Sequence, residues 1–443
     1  MRQHAAVIGG GISGLATSMA LTRMGHRVTL FENTSDLGGL AATFPYRGGH
    51  LEKFYHCLLP TDHALLRLVR EVGLEHDLRW RETKMGFMYQ GRMFALNNAI
   101  DLLRFTPLTL IERLRLGLMG LRARTGGLSP ALDEISAAEW IRGMVGDRGF
   151  EVLWKPLLAA KIGDHYAALP ALWLSSRMNR EKNSGPERKG YLLGGYRSLI
   201  AALASTLRER GTVIRLSQPV TQIVESEGRM ALRLPDGGLE VFDFVVSTVP
   251  LKVFQQLASG LRLPGRLAEL KLDYQGVVSG VFMTRQPLSH YYWMPWVDCG
   301  ATSQGAIEMT NLVPRERAGG LHINYLVNYT HRDSEIYRAD DGVVLGRYRD
   351  DLARLFPAAG ASIEDAFLFR APHVEPMWTV GYSRVRPESA VIPGRLYLSC
   401  TAQVYPRVNS WNSCCELVED MSAPLGDEVS ARAVAERAVG TTA

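Results

Sequence analysis

Three glycines close to the start of the chain restrict its fold more than any other feature. They have the spacing Gly9-x-Gly11-x-x-Gly14 and lie between an apolar run, residues 5–8, and apolar residues at helical spacing over residues 12–24. In such a turn the first glycine permits a tight bend and the second lets the backbone approach a pyrophosphate. The third lets the helix pack on the strand. The pattern therefore predicts a strand, a phosphate-binding turn and a helix.

An acidic residue follows this motif at the distance expected of a dinucleotide site. Residues 27–31 predict a second strand, and Glu32 ends it 18 residues after Gly14. A carboxylate there can accept hydrogen bonds from ribose hydroxyls and repels a 2′-phosphate. We predict an α/β fold with a Rossmann-like domain. Besides the glycines and Glu32, its expected cofactor contacts are Ile12, Ser13 and Asn33.

Size and composition limit the class of protein. The chain has 443 residues, a net charge of +5 and 46% hydrophobic residues, which suits a globular protein of two or three domains. Basic runs interleaved with aromatic residues are absent, so nucleic acid is not an expected partner. Five scattered cysteines predict neither a metal site nor a disulfide framework and fit a reducing cytoplasm. We find no signal peptide and no transmembrane run, and the oligomeric state stays open.

A second glycine pair, Gly38-Gly39, comes soon after Glu32 and is followed by Leu40. With this pair the sequence resembles the FAD-binding amine oxidase and protoporphyrinogen oxidase superfamily, which also includes phytoene desaturases and UDP-galactopyranose mutase. That superfamily has an arginine where this chain has Leu40. The resemblance implies that the cofactor is FAD and that these three residues lie near its pyrophosphate. A second Gly-x-Gly-x-x-Gly, the mark of a built-in nicotinamide nucleotide domain, is absent from the chain.

The resemblance extends towards the C-terminus. Val220 matches the position whose backbone faces the adenine, and residues 243–250, with Thr248, resemble the strand that closes the FAD domain. Cys400 stands where the superfamily has an aspartate near the flavin pyrophosphate. We expect Thr401, or backbone amides beside it, to take over that contact. Asn409 is expected to face the ribityl chain or the pyrimidine edge.

Two interleaved domains are also implied by the resemblance. The Rossmann-like FAD-binding domain, with the topology of the second glutathione reductase class, would comprise residues 1–60, 190–255 and 385–425. A mixed α+β substrate domain would comprise residues 61–189 and 256–384. The tail, residues 426–443, would be a loosely attached helix or disordered.

Titratable residues expected near the flavin are the candidates for catalysis. Tyr55 and His56 follow the second glycine pair, and His56 could act as a base, bind the substrate or simply anchor a loop. Lys161 could lie near flavin N5, bind an anionic substrate or be a surface cation. Trp173 and Arg177 could form a stacking and phosphate-binding pair or pack ordinarily.

Two further segments allow more than one interpretation. Aromatic residues at positions 291, 292, 293 and 296 suit either a cavity wall or the core, and Glu308, Thr310 and Asn311 could line the same cavity. Residues 102–124 combine leucines with five arginines, and a helix is predicted over 107–121 with Thr106 as its N-cap. That helix could lie on a membrane surface or could cap the substrate domain.

These expectations lead to a flavin-dependent function. The lead hypothesis is an FAD-dependent oxidase, dehydrogenase or desaturase that transfers a hydride from a small or apolar substrate, such as a sugar or a lipid-linked sugar, to flavin N5. One alternative is a redox-neutral nucleotide-sugar mutase similar to UDP-galactopyranose mutase. Another is a non-catalytic binding protein similar to the GDP-dissociation inhibitors.

Overall fold

The computed structural model describes residues 2–125, 128–180 and 187–440. Its strands are β1 (His4–Ile8), β2 (Arg27–Phe31), β3 (Thr43–Tyr46), β4 (Gly49–Glu52), β5 (Leu78–Glu82), β6 (Gly86–Tyr89), β7 (Arg92–Ala95), β8 (Arg188–Leu192), β9 (Val213–Arg215), β10 (Gln222–Ser226), β11 (Arg229–Arg233), β12 (Leu239–Phe242), β13 (Phe244–Ser247), β14 (Tyr274–Thr284), β15 (Trp293–Val297), β16 (Gly305–Glu308), β17 (His322–Thr330), β18 (Ile363–Pro376), β19 (Ala390–Ile392) and β20 (Leu396–Leu398). Its α-helices are α1 (Ile12–Arg23), α2 (His63–Glu71), α3 (Ala99–Leu103), α4 (Leu110–Thr125), α5 (Ala137–Gly149), α6 (Lys155–Ile162), α7 (Ala171–Arg180), α8 (Gly195–Glu209), α9 (Leu251–Leu257), α10 (Gly265–Glu269), α11 (Glu335–Arg338), α12 (Asp341–Leu355), α13 (Pro357–Gly360) and α14 (Trp411–Gly440).

A six-stranded sheet with the order β19-β20-β13-β1-β2-β9 carries the glycine motif. Its strands are parallel except for β19, which pairs with β20 in the antiparallel sense. The central strand β1 is buried on both faces, as a parallel sheet requires: helices α1, α8 and α14 cover one face, and residues of the three-stranded sheet β10-β11-β12 pack in the core on the other. This arrangement confirms the predicted Rossmann-like α/β fold.

A seven-stranded sheet with the order β18-β14-β17-β16-β15-β6-β7 forms the second large layer. Its pairs are antiparallel except for β15 with β6, and every residue of the central strand β14 is buried. Residues 61–189 supply most of the helices on this side, including α4–α7. The domain boundaries given above remain a proposal.

The helix predicted over residues 107–121 begins later than expected. It starts at Leu110, since Thr109 and Glu112 form reciprocal bonds: the Thr109 backbone N–H donates to Glu112 Oε2 at 2.7 Å, and the Glu112 N–H donates to Thr109 Oγ1 at 3.4 Å. Thr-x-x-Glu is a capping box, which satisfies two orphan donors and overrides the weaker signal of Thr106 and Pro107. The prediction of Thr106 as N-cap was wrong.

The tail begins as a helix, which is one of the two predicted alternatives. Helix α14 continues to Gly440, and Val429 is 1% exposed in the core beside α1. The boundary and the attachment of the tail remain predictions. Residues 441–443, also assigned to the tail, lie outside the described part of the chain.

Candidate functional site

A cavity of about 1540 Å³ is lined by residues of both large sheets. It meets the carboxyl ends of β1, β2, β13 and β20, where Gly9, Glu32, Thr248 and Thr401 contribute to its wall. Ligands of open parallel sheets bind outside the carboxyl ends of the strands. Drug-sized pockets occupy roughly 300–1,000 Å³, so this cavity has room for a dinucleotide and a substrate together.

The glycine motif forms one end of the cavity. A Cβ atom on Gly9, whose φ is +107°, would lie 2.7 Å from Thr248 Oγ1, and a Cβ on Gly14 would lie 1.8 Å from the Gly9 carbonyl oxygen. A Cβ on Gly11 would meet only Gly39 Cα, at 4.0 Å. Gly9 and Gly14 are thus required by packing. Gly11 instead leaves an opening opposite Gly39, which we call the Gly11 crevice.

Helix α1 begins at this crevice. Ile12 and Ser13, in its first turn, line the cavity, and no side chain caps the helix. The first N–H groups of a helix lack intrahelical partners and lie at its positive end. Free donors, a positive dipole end and a crevice without side chains together suit a pyrophosphate.

Glu32 connects the crevice to the loop after β2. Its Oε2 accepts the Gly10 N–H at 2.7 Å, and its Oε1 accepts both the N–H and the hydroxyl of Thr34, each at 2.8 Å. A carboxylate has about four acceptor sites. The three bonds described above occupy three of them, which leaves one site for a further donor such as a ribose hydroxyl. The side chain of Glu32 therefore holds the glycine turn in shape as well as lining the cavity. Its neighbour Asn33 is exposed and also lines the cavity.

The second glycine pair closes the crevice from the other side. Gly38 has a φ of +124°, donates its N–H to the Gly10 carbonyl at 2.9 Å, and would place a Cβ 2.7 Å from Ile200 Cδ1. Gly39 also has a positive φ, +56°, and like Leu40 it lines the cavity. Because a side chain on Gly38 would be both strained and blocked, the pair is required by the backbone path.

Of the cofactor contacts predicted in the later part of the chain, some line the cavity and one lies in the core. Val220, Thr248, Thr401 and Asn409 line the cavity, and Asn409 donates its side-chain amide to the Val374 carbonyl at 2.6 Å. Cys400 is 2% exposed in the core and is not among the described residues that line the cavity. Burial raises the pKa of its thiol to about 12, which keeps the thiol neutral. The structure therefore places Thr401, rather than the Cys400 side chain, beside the cavity.

In another part of the cavity wall, Tyr55 pairs with Tyr329 and Lys161 pairs with Glu375. We call these four residues the Tyr55 cluster. The hydroxyls of Tyr55 and Tyr329 lie 2.7 Å apart. Lys161 Nζ lies 3.1 Å from Glu375 Oε2 and 4.2 Å from the centre of the Tyr329 ring. The side chain of Lys161 is 24% exposed, so it is not a surface cation. Sequence reasoning missed Tyr329 and Glu375, since their strands β17 and β18 carry no motif.

Burial and charge together set the protonation of this cluster. Burial raises the pKa of Tyr55 well above its usual value, while Lys161 and Arg177 act in the opposite direction. Burial likewise raises the pKa of Tyr329 to about 12. Both phenols therefore stay protonated near neutral pH and can act as hydrogen-bond donors.

His56 lines the cavity as a neutral imidazole. Its Nδ1 lies 2.9 Å from the Phe54 carbonyl, and because that oxygen can only accept, Nδ1 carries the proton. Burial lowers the pKa of the ring below its usual 6.5, against weaker opposing effects from the Phe54 carbonyl and Glu52. Nε2 is then left with its lone pair, and it can accept a proton or a hydrogen bond.

Some of the other residues predicted for the substrate site line the cavity, and the rest lie in the core or pack against neighbouring elements. Trp173 and Arg177 both line the cavity, with the guanidinium 5.9 Å from the centre of the indole. Of the aromatic run, residues 292 and 293 line it, whereas residues 291 and 296 are not among its described lining residues. The same holds for Glu308, Thr310 and Asn311, which pack against neighbouring strands and loops. Within the described residues, no group of three His, Cys, Asp or Glu side chains could hold a metal ion.

Comparison with solved structures shows the same fold in other proteins. A protein of Exiguobacterium sp. 255-15, provisionally named a protoporphyrinogen oxidase, superposes with a TM-score of 0.77 at 21% sequence identity. The match covers 97% of this chain and 99% of that protein. It therefore confirms the α/β fold.

Curated relatives match over shorter stretches. The provisionally named flavin-containing monoamine oxidase AofH of Mycobacterium tuberculosis is 29% identical over 143 residues, which is 31% of this chain and 32% of that protein. Coproporphyrinogen III oxidase of Staphylococcus aureus is 24% identical over 291 residues, 57% of this chain and 62% of the relative. In both cases the match spans less than two thirds of the relative's length.

A family model matches most of the chain. The model for flavin containing amine oxidoreductase covers residues 12–389, which include the helix after the glycine turn, the second glycine pair and the Tyr55 cluster. The match confirms the resemblance found in the sequence. The chain belongs to the flavin containing amine oxidoreductase family, a family of enzymes, and its cofactor is FAD.

Proposed function

We propose that this flavoenzyme oxidises a substrate with an apolar body and an anionic group. The observation that carries the proposal is the charge of the wall formed by α6 and α7. These helices contribute Lys161, Arg177 and Arg180 to the cavity, and their sequences contain no acidic residue. Lys161 and Arg180 face the carboxylates of Glu375 and Asp62, and the proposal rests on the three cations that α6 and α7 place on one wall of the cavity. Such a wall favours an anion over the ammonium group of an amine.

The rest of this wall suits an apolar body. Trp173, Tyr292, Trp293 and Tyr329 line the cavity together with several leucines of α6 and α7. Aromatic rings bury large apolar areas and exclude water. A substrate held here would have its charged end near Lys161 and its apolar part along the rings.

Each group then has a separate task. FAD, when bound, supplies the acceptor for a hydride at flavin N5. Lys161 and Arg177 hold the anionic group, and the aromatic wall orients the substrate and keeps water out. Tyr55 donates a hydrogen bond, and His56 Nε2 receives the proton that a substrate loses when a hydroxyl or amine is oxidised.

The alternative functions differ in their support. A lipid-linked sugar phosphate belongs to the proposed substrate class, although none of the described contacts singles out a sugar. The redox-neutral mutase has no observation in its favour, and membership of an enzyme family argues against a purely binding role. Cytoplasmic location and a peripheral membrane contact remain proposals.

Replacing Lys161 with methionine tests the substrate class. Under anaerobic conditions, apolar carboxylates or phosphates should bleach the oxidised-flavin absorbance, and Lys161→Met should raise KM about tenfold or more by removing a charge-assisted contact of about 1.5–3 kcal/mol. Lys155→Met is the matched control, because Lys155 lies on the same helix but pairs with Glu151 at the surface. Bleaching by amines alone, or a KM unchanged in Lys161→Met, would contradict the proposal.

A further inference from the structure

Helix α4 has an apolar surface that faces away from the protein. Ile111, Leu114 and Leu118 are 65%, 59% and 46% exposed. Helix α3, which packs against α4, adds exposed apolar side chains at its own surface. We call this set the leucine ridge: Ile100, Leu103, Leu110, Ile111, Leu114 and Leu118.

The ridge is separate from the face that α4 uses for packing. At about 100° per residue, its four members on α4 fall within an arc of roughly 100°. Met119, 1% exposed, lies on the opposite side, where α4 packs against α5 and α7. Single exposed leucines are ordinary, but a contiguous row of them marks an interaction surface.

Charges along the ridge are positive. Arg104, Arg115 and Arg122 are all exposed, the last two along one edge of the stripe on α4. The acids of α3 and α4 are fewer than these arginines, and both are hydrogen-bonded within the same segment. Glu112 bonds to Thr109 at the start of α4, and Asp101 accepts bonds from the asparagines at positions 97 and 98.

We propose that the leucine ridge docks on the surface of a membrane that contains anionic lipids. An interfacial helix buries an apolar stripe at the boundary of the acyl chains while arginines beside it contact phosphate groups. Contact between two copies is disfavoured, since a twofold interface centred on the ridge brings the arginines of one copy against those of the other. Among the described residues, no helix has the length and apolar character to cross a bilayer.

The position of the ridge relates this docking to the route by which a substrate reaches the cavity. Helix α4 packs on α7, which lines the cavity with Trp173 and Arg177. Docking therefore places the helices beside the cavity, α4 and α7, close to the lipid, in which an apolar substrate dissolves. The docking itself does not rest on the proposed substrate, because vesicle binding can be measured without turnover.

Co-sedimentation of the FAD-loaded protein with vesicles tests the inference. The protein should bind vesicles of phosphatidylcholine with phosphatidylglycerol, and binding should weaken with added salt. Leu114→Gln/Leu118→Gln should weaken it at least about tenfold, because apolar burial is lost. Leu239→Gln/Val343→Gln is the matched control, since both residues are 48% exposed away from the ridge, and it should bind as the unchanged protein does.

Other outcomes would overturn the inference. These are failure of the unchanged protein to bind anionic vesicles, or equal binding by Leu114→Gln/Leu118→Gln. A dimer in sedimentation analysis that only this variant abolishes, without vesicle binding, would assign the ridge to a second copy. If Leu114→Gln/Leu118→Gln loses its flavin absorbance, the variant Arg115→Gln/Arg122→Gln is used instead. This arginine variant should lose the preference for anionic over neutral vesicles. A retained preference would refute the charge argument.

Discussion

Replacing Gly11 with alanine should separate the folding of this chain from its binding of FAD. The added Cβ would meet only Gly39 Cα, at 4.0 Å, and the backbone of Gly11 (φ −74°, ψ −175°) is one that alanine adopts freely. The protein without FAD therefore accommodates the methyl group. The group nevertheless occupies the Gly11 crevice, where a pyrophosphate has to approach the backbone.

The magnitude follows from the contacts that the methyl group blocks. Losing one charge-assisted hydrogen bond costs about 1.5–3 kcal/mol, which corresponds to FAD binding weaker by about 10- to 150-fold. The free energy of unfolding without FAD should change by less than about 1 kcal/mol, because glycine and alanine differ modestly at an N-cap. Gly14→Ala should do the reverse, since its Cβ would lie 1.8 Å from a backbone oxygen and no side chain can move to relieve the clash. It should lower the free energy of unfolding by about 1–3 kcal/mol or more.

Fluorescence titration of the apoprotein with FAD, together with urea unfolding of the same samples, measures both effects. Gly346→Ala is the control, because a Cβ there meets no atom within 4 Å and the residue lies in α12, away from the cavity. FAD affinity in Gly11→Ala equal to that of the unchanged protein would refute the assignment of the crevice to the pyrophosphate. A large loss of stability without FAD would show instead that Gly11 is required for packing.

The remaining predictions concern pH. Burial holds the pKa of His56 below 6.5, so the rate of flavin reduction should be constant above about pH 6.5 and fall below it as Nε2 becomes protonated. His56→Asn should be slower with no such fall, and an unchanged profile in stopped-flow measurements would exclude His56 as the base. Burial raises the pKa of Glu308 to about 7 from 4.5, and the folded state therefore holds its proton more tightly than the unfolded state. The free energy of unfolding should then fall by roughly 3 kcal/mol between pH 4.5 and 7, and Glu308→Gln should flatten that slope in urea unfolding.

Local patterns were sufficient to predict the cofactor end of the molecule. The roles of Gly9, Gly11 and Gly14 follow from one strand-turn-helix unit, in which the residues that meet in space are also close in sequence. Glu32 was predicted for its ribose contact, but its three bonds to the loop backbone and hydroxyl depend on a turn that carries no separate signal. The start of α4 shows a signal that was present and overlooked, since Thr109-x-x-Glu112 is a capping box.

The substrate end could not be predicted in the same way. Tyr55 meets Tyr329, and Lys161 meets Glu375, across separations of more than two hundred residues. No periodicity or motif relates such positions, because their contact depends on how the seven-stranded sheet is placed against α6. Titratable side chains at that end could be named one at a time from the sequence, whereas their partners could not.

The strand order of the six-stranded sheet has a consequence for synthesis of the chain. β1 and β2 leave the ribosome before the other strands of this sheet, whereas β20, the outer neighbour of β13, and α14, which packs on α1, follow much later in the chain. At about 5–20 residues per second, roughly 20–70 s pass between these segments. During that interval β13 lacks β20 and α1 lacks α14, so surfaces that are buried in the finished protein are exposed, which makes the nascent chain a natural client for chaperones. Because Thr401 and Asn409 line the cavity, the complete FAD site can form only after this part of the chain has been made, so FAD supply acts on a late step of folding.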